Sequence, residues 1–127
     1  MTPERFQRHR TKGYEMPPHT KSVARPSRWG NPFQGFKLGG FLACKLFDMY
    51  LHGDDIPRFV ANQIDDEVKA GLILEVLAEA PNGPTLALLG RDELRGWNLS
   101  CFCKLGEPCH SETWLEIVNG VNDGPPS

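Results

Sequence analysis

Three cysteines and a histidine stand close together near the carboxy-terminal end of the chain: Cys101, Cys103, Cys109 and His110. The alternating residues 98–103 predict a strand, on which Cys101 and Cys103 point to the same face because side chains repeat every two residues. Cys109 and His110 fall in the first turn of the helix that is predicted to follow. All four are zinc-ligand types, so this strand-to-helix turn could form a tetrahedral zinc site.

The same turn supports other chemistry, and the alternatives stay open. The free N–H groups and the dipole at a helix start favour an anion, either a bound phosphate or a thiolate. Cys109 would then have a lowered pKa, with His110 as its acid–base partner and Cys101 as the third candidate catalytic residue. Against zinc, the usual cysteine pairing is C-x-x-C, and adjacent side chains diverge on a helix. The thiols could also be small apolar residues of a buried strand and helix, and a disulfide is the least expected form in a reducing compartment.

A second unusual segment runs from Arg25 to Phe33. Two prolines stiffen it, and a glycine between them can adopt a conformation that strains other residues. Trp29 and Phe33 are expected to pack inward and hold the loop, while its guanidinium and amide groups suit a phosphate, a carboxylate or a base edge. The alternative is a structural turn whose arginines pair with acidic helices. The candidate ligand-binding residues are Arg25, Ser27, Arg28, Trp29, Gly30 and Asn31.

The formal net charge of -2 hides an asymmetry along the chain. Residues 1–37 carry eight basic residues and two acids, a charge of +6, which leaves -8 for the remainder. A basic arm on an acidic body is typical of proteins that bind a phosphate, a nucleotide or a nucleic-acid backbone. The arm could instead dock on its own acidic helices. The overall charge argues against nucleic-acid binding of the histone sort.

The two motifs together resemble a known family of bacterial and phage proteins, the domain of unknown function numbered 4326. The resemblance is carried by residues 10–14, 16–18, 25–33, 94–96, 99–103 and 108–110. Three departures from the family pattern, at Ala24, Phe102 and Ser111-Glu112, remove no candidate chemical group. The resemblance implies a family but no reaction.

The spacing from Cys101 to Cys109, followed by His110, is also similar to that of a second family, domain of unknown function 488. The middle cysteine is often glutamate there. If the two families are related, Cys103 would not be a universal metal ligand, which would favour the anion or thiolate interpretation over zinc.

Hydrophobic spacing and turn residues predict the elements that position these motifs. Strands are expected at 20–25 and 98–103, and helices at 41–51, from 54 to about 80 with a possible division at Gly71, at 85–94 and at 108–119. Cys44 lies on the apolar face of the predicted helix 41–51, apart from the other three cysteines, and is expected in the core. The predicted fold class is α/β: mixed and helix-rich, with a small sheet of few strands flanked by three to four helices.

A length of 127 residues suits a single compact domain. We expect residues 1–120 to form it, with 1–36 as an extended basic arm and 121–127 as a flexible tail. No apolar run is long enough to span a bilayer, and the first twelve residues lack a basic-then-apolar leader. These features predict a cytoplasmic protein without a membrane partner.

Two hypotheses for function follow. In the first, the chain binds or processes a nucleotide, nucleoside or similar phosphorylated small ligand in a pocket between the Arg25–Phe33 loop and the helix start at Cys109 and His110. In the second, a zinc-stabilised, non-catalytic module binds a protein or nucleic acid through its basic arm. A variant of the first is a phage accessory protein that sequesters a signalling nucleotide without turnover. Zinc is the one cofactor that the residue types indicate.

Overall fold

The computed structural model describes residues 3–9, 12–25, 27–34, 38–103 and 109–119. In chain order the elements are β1 (Arg5–Gln7), β2 (Thr20–Ser22), α1 (Gly40–His52), α2 (Ile56–Gln63), α3 (Glu67–Glu79), α4 (Gly83–Glu93), β3 (Asn98–Cys101) and α5 (His110–Asn119). The mixed, helix-rich α/β class predicted from the sequence is confirmed. The predicted tail at 121–127 lies outside the described residues.

Polar side chains fix where three of the helices begin. The carboxylates of Asp55 and Asp66 accept hydrogen bonds from backbone N–H groups in the first turns of α2 and α3, and the Asn82 side chain does the same for α4. Such N-caps satisfy donors that the helix itself leaves unpaired. At the carboxy-terminal end of α1, Gly53 adopts a left-handed conformation with φ of 76°, which glycine tolerates without a Cβ clash.

Two details of the predicted elements are wrong. The helical stretch from 54 to 80 divides at 64–66, where Asp66 caps α3, whereas Gly71 lies inside α3. Strand β1 was not predicted at all. It is three residues long and pairs with β3, more than ninety positions away, so no local pattern marks it.

The sheet has the order β1-β3-β2, and both pairings are parallel. Arg5 is aligned with Leu99 of the central strand, and Lys21 is aligned with the same residue from the other side. Because the strands are parallel, the residues that follow all three lie at one edge of the sheet, which we call the carboxyl edge. The residues that precede them lie at the opposite, amino edge.

The core lies between α1, α4, α5 and the sheet, with Trp114 of α5 fully buried. The Trp114 indole N–H donates to the backbone carbonyl of Trp29 at 2.8 Å, and the two rings meet edge to face with centroids 5.3 Å apart. Trp29 is 7% exposed and Phe33 is fully buried. The expectation that these aromatic side chains hold the 25–33 loop inward is confirmed.

Among the described residues no single helix is long and apolar enough to cross a membrane, and α3 with α4 passes that test only as a pair bent by 62°.

Replacing Gly90 with alanine is expected to destabilise the fold by about 1–3 kcal/mol. A Cβ at this position would lie 2.3 Å from Cζ3 of Trp114, and the buried indole has no room to move away. Gly71→Ala is the matched control, because it also adds one methyl group to a helix interior but meets nothing within 4 Å. It is expected to stabilise by up to about 1 kcal/mol. Urea denaturation measures both, and shifts of the same sign would contradict the packing described here.

Candidate metal centre

The thiols of Cys101, Cys103 and Cys109 form a compact cluster. Their Sγ atoms all lie within 4.8 Å of one another, and the Cys101 and Cys103 sulfurs are 3.7 Å apart. Zinc–sulfur bonds of about 2.3 Å in a tetrahedron place neighbouring sulfurs about 3.8 Å apart. The spacing of this pair therefore matches that of two zinc ligands.

The sheet and α5 bring the thiols together. Cys101 is the last residue of the central strand and Cys103 lies two positions beyond it, so both are at the carboxyl edge. Cys109 immediately precedes α5, whose first residue is His110. The predicted placement of Cys109 inside the helix is therefore wrong by one position, and the objection that adjacent side chains diverge on a helix does not apply to this pair.

His110 presents a ring nitrogen to the cluster. Its Nε2 lies 2.6 Å from the carbonyl oxygen of Val23, and because a carbonyl only accepts, Nε2 carries the proton. In the neutral ring the Nδ1 lone pair is then free, 3.8 Å from the Cys109 sulfur and 4.0 Å from the Cys101 sulfur. Zinc-bound histidine commonly has this arrangement, with its distal N–H donating to a backbone carbonyl.

The centre is buried. Cys101 and Cys109 are each 3% exposed and His110 is 1% exposed. Phe47 packs edge-on against the imidazole with ring centroids 5.5 Å apart, which fixes the ring plane from the side of α1. The ligand atoms are therefore held by packing as well as by hydrogen bonds, as a preorganised site requires.

The hydrogen bonds of the cluster affect its three thiols unequally. Hydrogen bonds from the Cys101 and Cys103 thiols, and a smaller one from Ser111, hold the pKa of Cys109 well below its usual range, against the effect of burial. The Ser111 hydroxyl donates to this sulfur at 3.2 Å. Sharing hydrogen bonds with Cys101 and Cys109 raises the pKa of the Cys103 thiol. The three thiols therefore titrate as one group, whose protons are shared through these hydrogen bonds.

Three supporting residues were missed in the sequence. The Arg5 guanidinium donates to Glu112 at 2.7 Å and to the Cys103 carbonyl at 3.1 Å, so it ties β1 to both sides of the cluster. The Gln34 amide lies 3.8 Å from the Cys103 sulfur. These contacts span 69 to 107 positions along the chain, and Ser111 was noted only as a departure from the family pattern. No local signal would have found Arg5 and Gln34, whereas Ser111 lies only two positions from Cys109.

The structure gives the candidate ligand-binding residues of the loop different surroundings. Asn31 is 1% exposed, and its amide bonds the Ala43 carbonyl and the Phe33 N–H, so its visible role is structural. Arg28 pairs with the Glu93 carboxylate, and its guanidinium lies 4.4 Å from the centre of the Trp29 ring. This pairing with an acidic helix is the alternative considered for the loop arginines.

Two separate cavities adjoin the loop. One of about 30 Å³ lies between Asn31 and Gln34 on one side and Cys103, Cys109 and His110 on the other. The second, of about 390 Å³, is lined by Arg25, Ser27 and Gly30 together with parts of α3 and the turn that follows it. Within the described part of the chain, Asn31 is therefore the one loop candidate that borders the cysteine–histidine cluster.

Cys44 on α1 also borders the small cavity but is not part of the sulfur cluster. It is half-buried, and burial, with lesser effects of Cys109 and Cys103, raises the pKa of its thiol to about 11. The Cys44 thiol therefore stays protonated at neutral pH.

Comparison with known proteins yields a single match. The sequence model of a family described as a domain of unknown function (DUF4326) matches residues 6–120. This range includes every residue of the cluster and of the Arg25–Phe33 loop. No curated protein and no solved structure matches the chain.

Proposed function

The chain belongs to the family described as a domain of unknown function (DUF4326), and we propose that it is a zinc-stabilised, non-catalytic binding module. Cys101, Cys103, Cys109 and His110 hold one zinc ion at the carboxyl edge of the sheet. The observation that carries this proposal is the histidine. Its outer N–H is fixed to the Val23 carbonyl, and its free Nδ1 faces the Cys101 and Cys109 sulfurs.

A structural role for the metal is supported by the ligand set. Three sulfurs and one nitrogen complete a tetrahedron, whereas a catalytic zinc keeps a position open for water or substrate. The adjoining cavity of about 30 Å³ has room for about one water molecule. The ion therefore cross-links β3, α5 and the segment after β2 instead of acting on a substrate.

The binding partner in this proposal is an anionic macromolecular surface, met by the basic arm. Residues 1–37 carry a charge of +6 on a chain whose total is -2. Part of the arm is anchored beside the metal centre, since the Arg8 guanidinium bonds the Ser22 hydroxyl and lies 5.2 Å from the centre of the Phe102 ring. Zinc would thus stabilise the sheet whose outer strands, β1 and β2, belong to this basic segment.

Zinc content tests the proposal directly. Protein that is expressed without added metal and purified without chelators is expected to contain about one zinc per chain by elemental analysis. Free-thiol titration should show three cysteines protected and become complete when a strong chelator is added. A stably folded protein that contains less than about one tenth of an equivalent of any transition metal would contradict the proposal.

A second candidate is a thiolate or anion site that handles a nucleotide, nucleoside or other phosphorylated ligand. The observation that favours it is the lowered pKa of Cys109, which is held by hydrogen bonds from the neighbouring thiols and Ser111. The size of the site argues against this candidate, because the cavity between the loop and the cysteine–histidine cluster measures only about 30 Å³. A folded, metal-free protein in the zinc measurement, together with turnover of a phosphorylated substrate, would favour this candidate over zinc.

A further inference from the structure

The amino edge of the sheet carries a cavity of about 430 Å³, on the edge opposite the metal centre. The segments that enter all three strands line it. Pro3 and Glu4 lead into β1, His19 leads into β2, and Gly96 leads into β3. This volume falls within the range of about 300–1,000 Å³ that is typical of small-molecule sites.

The walls of this cavity are apolar and rigid. Four of its lining residues are Pro3, Phe6, Pro17 and Pro18. Proline rings have a fixed φ and lose little conformational freedom when a ligand binds. A flat apolar molecule could therefore pack against these walls at low entropic cost.

His19, one of the lining residues, has an unusual backbone conformation. Its φ of 56° makes it the one non-glycine residue in the left-handed region among the described residues. The imidazole stacks on Trp97 with centroids 4.2 Å apart and planes within 12°, and its Nε2 donates to the Gly96 carbonyl at 3.0 Å. Strained residues of this kind cluster at ligand sites.

The polar groups around the cavity form an acceptor-rich set. Because His19 donates through Nε2, Nδ1 of the neutral ring is an acceptor. The Asn98 side-chain oxygen accepts the Glu4 backbone N–H at 2.8 Å, so its NH₂ group is the donor. The Glu4 carboxylate is exposed and is the one formal charge among the lining residues that the structure describes.

We propose that this cavity binds a planar nitrogen heterocycle with an exocyclic amino group, of the aminopurine or aminopyrimidine class. Glu4 and the His19 ring accept hydrogen bonds from the two N–H donors of the exocyclic amino group, Asn98 donates to a ring nitrogen, and the proline walls pack against the ring face. The negative charge of Glu4 disfavours a phosphate inside the cavity. The ligand is therefore a base or nucleoside, with any phosphate directed outward.

Matched ligands test this site independently of zinc. Adenosine and cytidine are titrated into the zinc-loaded protein, with inosine and uridine as analogues in which a carbonyl replaces the amino group. At least one amino compound should bind saturably, and its analogue should bind about 10- to 100-fold more weakly, as loss of a hydrogen bond to a charged group predicts. Calorimetry gives the affinities, and the NMR signals of Gly96, Asn98 and the Trp97 indole locate the site.

Matched variants complete the test. Glu4→Gln keeps the shape but removes the charge, and it should weaken binding by about tenfold or more. His19→Gly accepts the same backbone conformation and should also weaken binding. Glu79→Gln, which lines the other large cavity, should leave affinity unchanged. Absence of saturable binding of both amino compounds at millimolar concentration, equal binding of the bound amino compound and its carbonyl analogue, or full affinity in Glu4→Gln would each overturn the proposal, whatever the zinc content proves to be.

Discussion

The Cys109→Ser variant is expected to lose stoichiometric zinc and most of its folding stability. The cluster lowers the pKa of the Cys109 thiol, and its sulfur is the one that both His110 and Ser111 contact. Serine keeps the size of the side chain but is a poor zinc ligand. Structural zinc contributes about 10–16 kcal/mol of apparent binding energy in small zinc domains, against a total stability of about 5–15 kcal/mol for an ordinary domain. We expect the melting temperature to fall by about 15 °C or more, measured by circular dichroism beside elemental analysis.

Cys44→Ser is the matched control for this experiment. It makes the same chemical change at a cysteine that borders the same small cavity but lies outside the sulfur cluster. Zinc content should stay at one per chain, and the free energy of unfolding should change by less than about 1 kcal/mol. If the two variants lose metal and stability equally, or if neither does, Cys109 is not a zinc ligand.

Trp114→Ala is expected to destabilise the zinc-loaded protein by about 3–5 kcal/mol. The indole is fully buried, contacts Trp29 and Phe47 edge to face, and donates its N–H to the Trp29 carbonyl. Alanine would leave a cavity and an unpaired carbonyl. Trp114→Phe keeps most of the ring, so its smaller cost reflects mainly the lost hydrogen bond, about 1–3 kcal/mol.

Denaturation with guanidinium chloride at saturating zinc measures the change in unfolding free energy of each Trp114 variant without interference from metal loss. Leu88→Ala is the control, because this leucine is 65% exposed on α4 and its truncation should cost less than about 0.5 kcal/mol. If Trp114→Ala costs as little as Leu88→Ala, Trp114 is not the centre of the core.

The part of the metal centre that could be predicted from the sequence is the local part. The two-residue repeat predicts that Cys101 and Cys103 point the same way, although β3 ends at Cys101, and Cys109 follows a few positions later in the sequence. Both facts depend on short-range geometry. The carbonyl of Val23, which selects the histidine tautomer, is 87 positions from His110, and only the assembled sheet brings the two together.

The partners of the loop arginines, by contrast, could not be predicted from the sequence. Guanidinium groups beside prolines and a glycine suit an anion when the segment is considered alone. In the structure, Arg28 pairs with Glu93, 65 positions away, and Arg25 donates to the Gln34 carbonyl at 2.8 Å. Residue type predicted which chemistry the side chains prefer but not which partner satisfies it, because the partner comes from tertiary packing.

The strand order has a consequence for the biosynthesis of the protein. Both outer strands lie within the first 22 residues, whereas the central strand that pairs with them ends at Cys101. During translation the amino-terminal segment must therefore remain unpaired while four helices are synthesised, and this high contact order predicts slow sheet formation. Metal capture would follow at once, since Cys103, Cys109 and His110 come directly after that strand. On the ribosome, closure of the sheet and acquisition of zinc would thus form one late event.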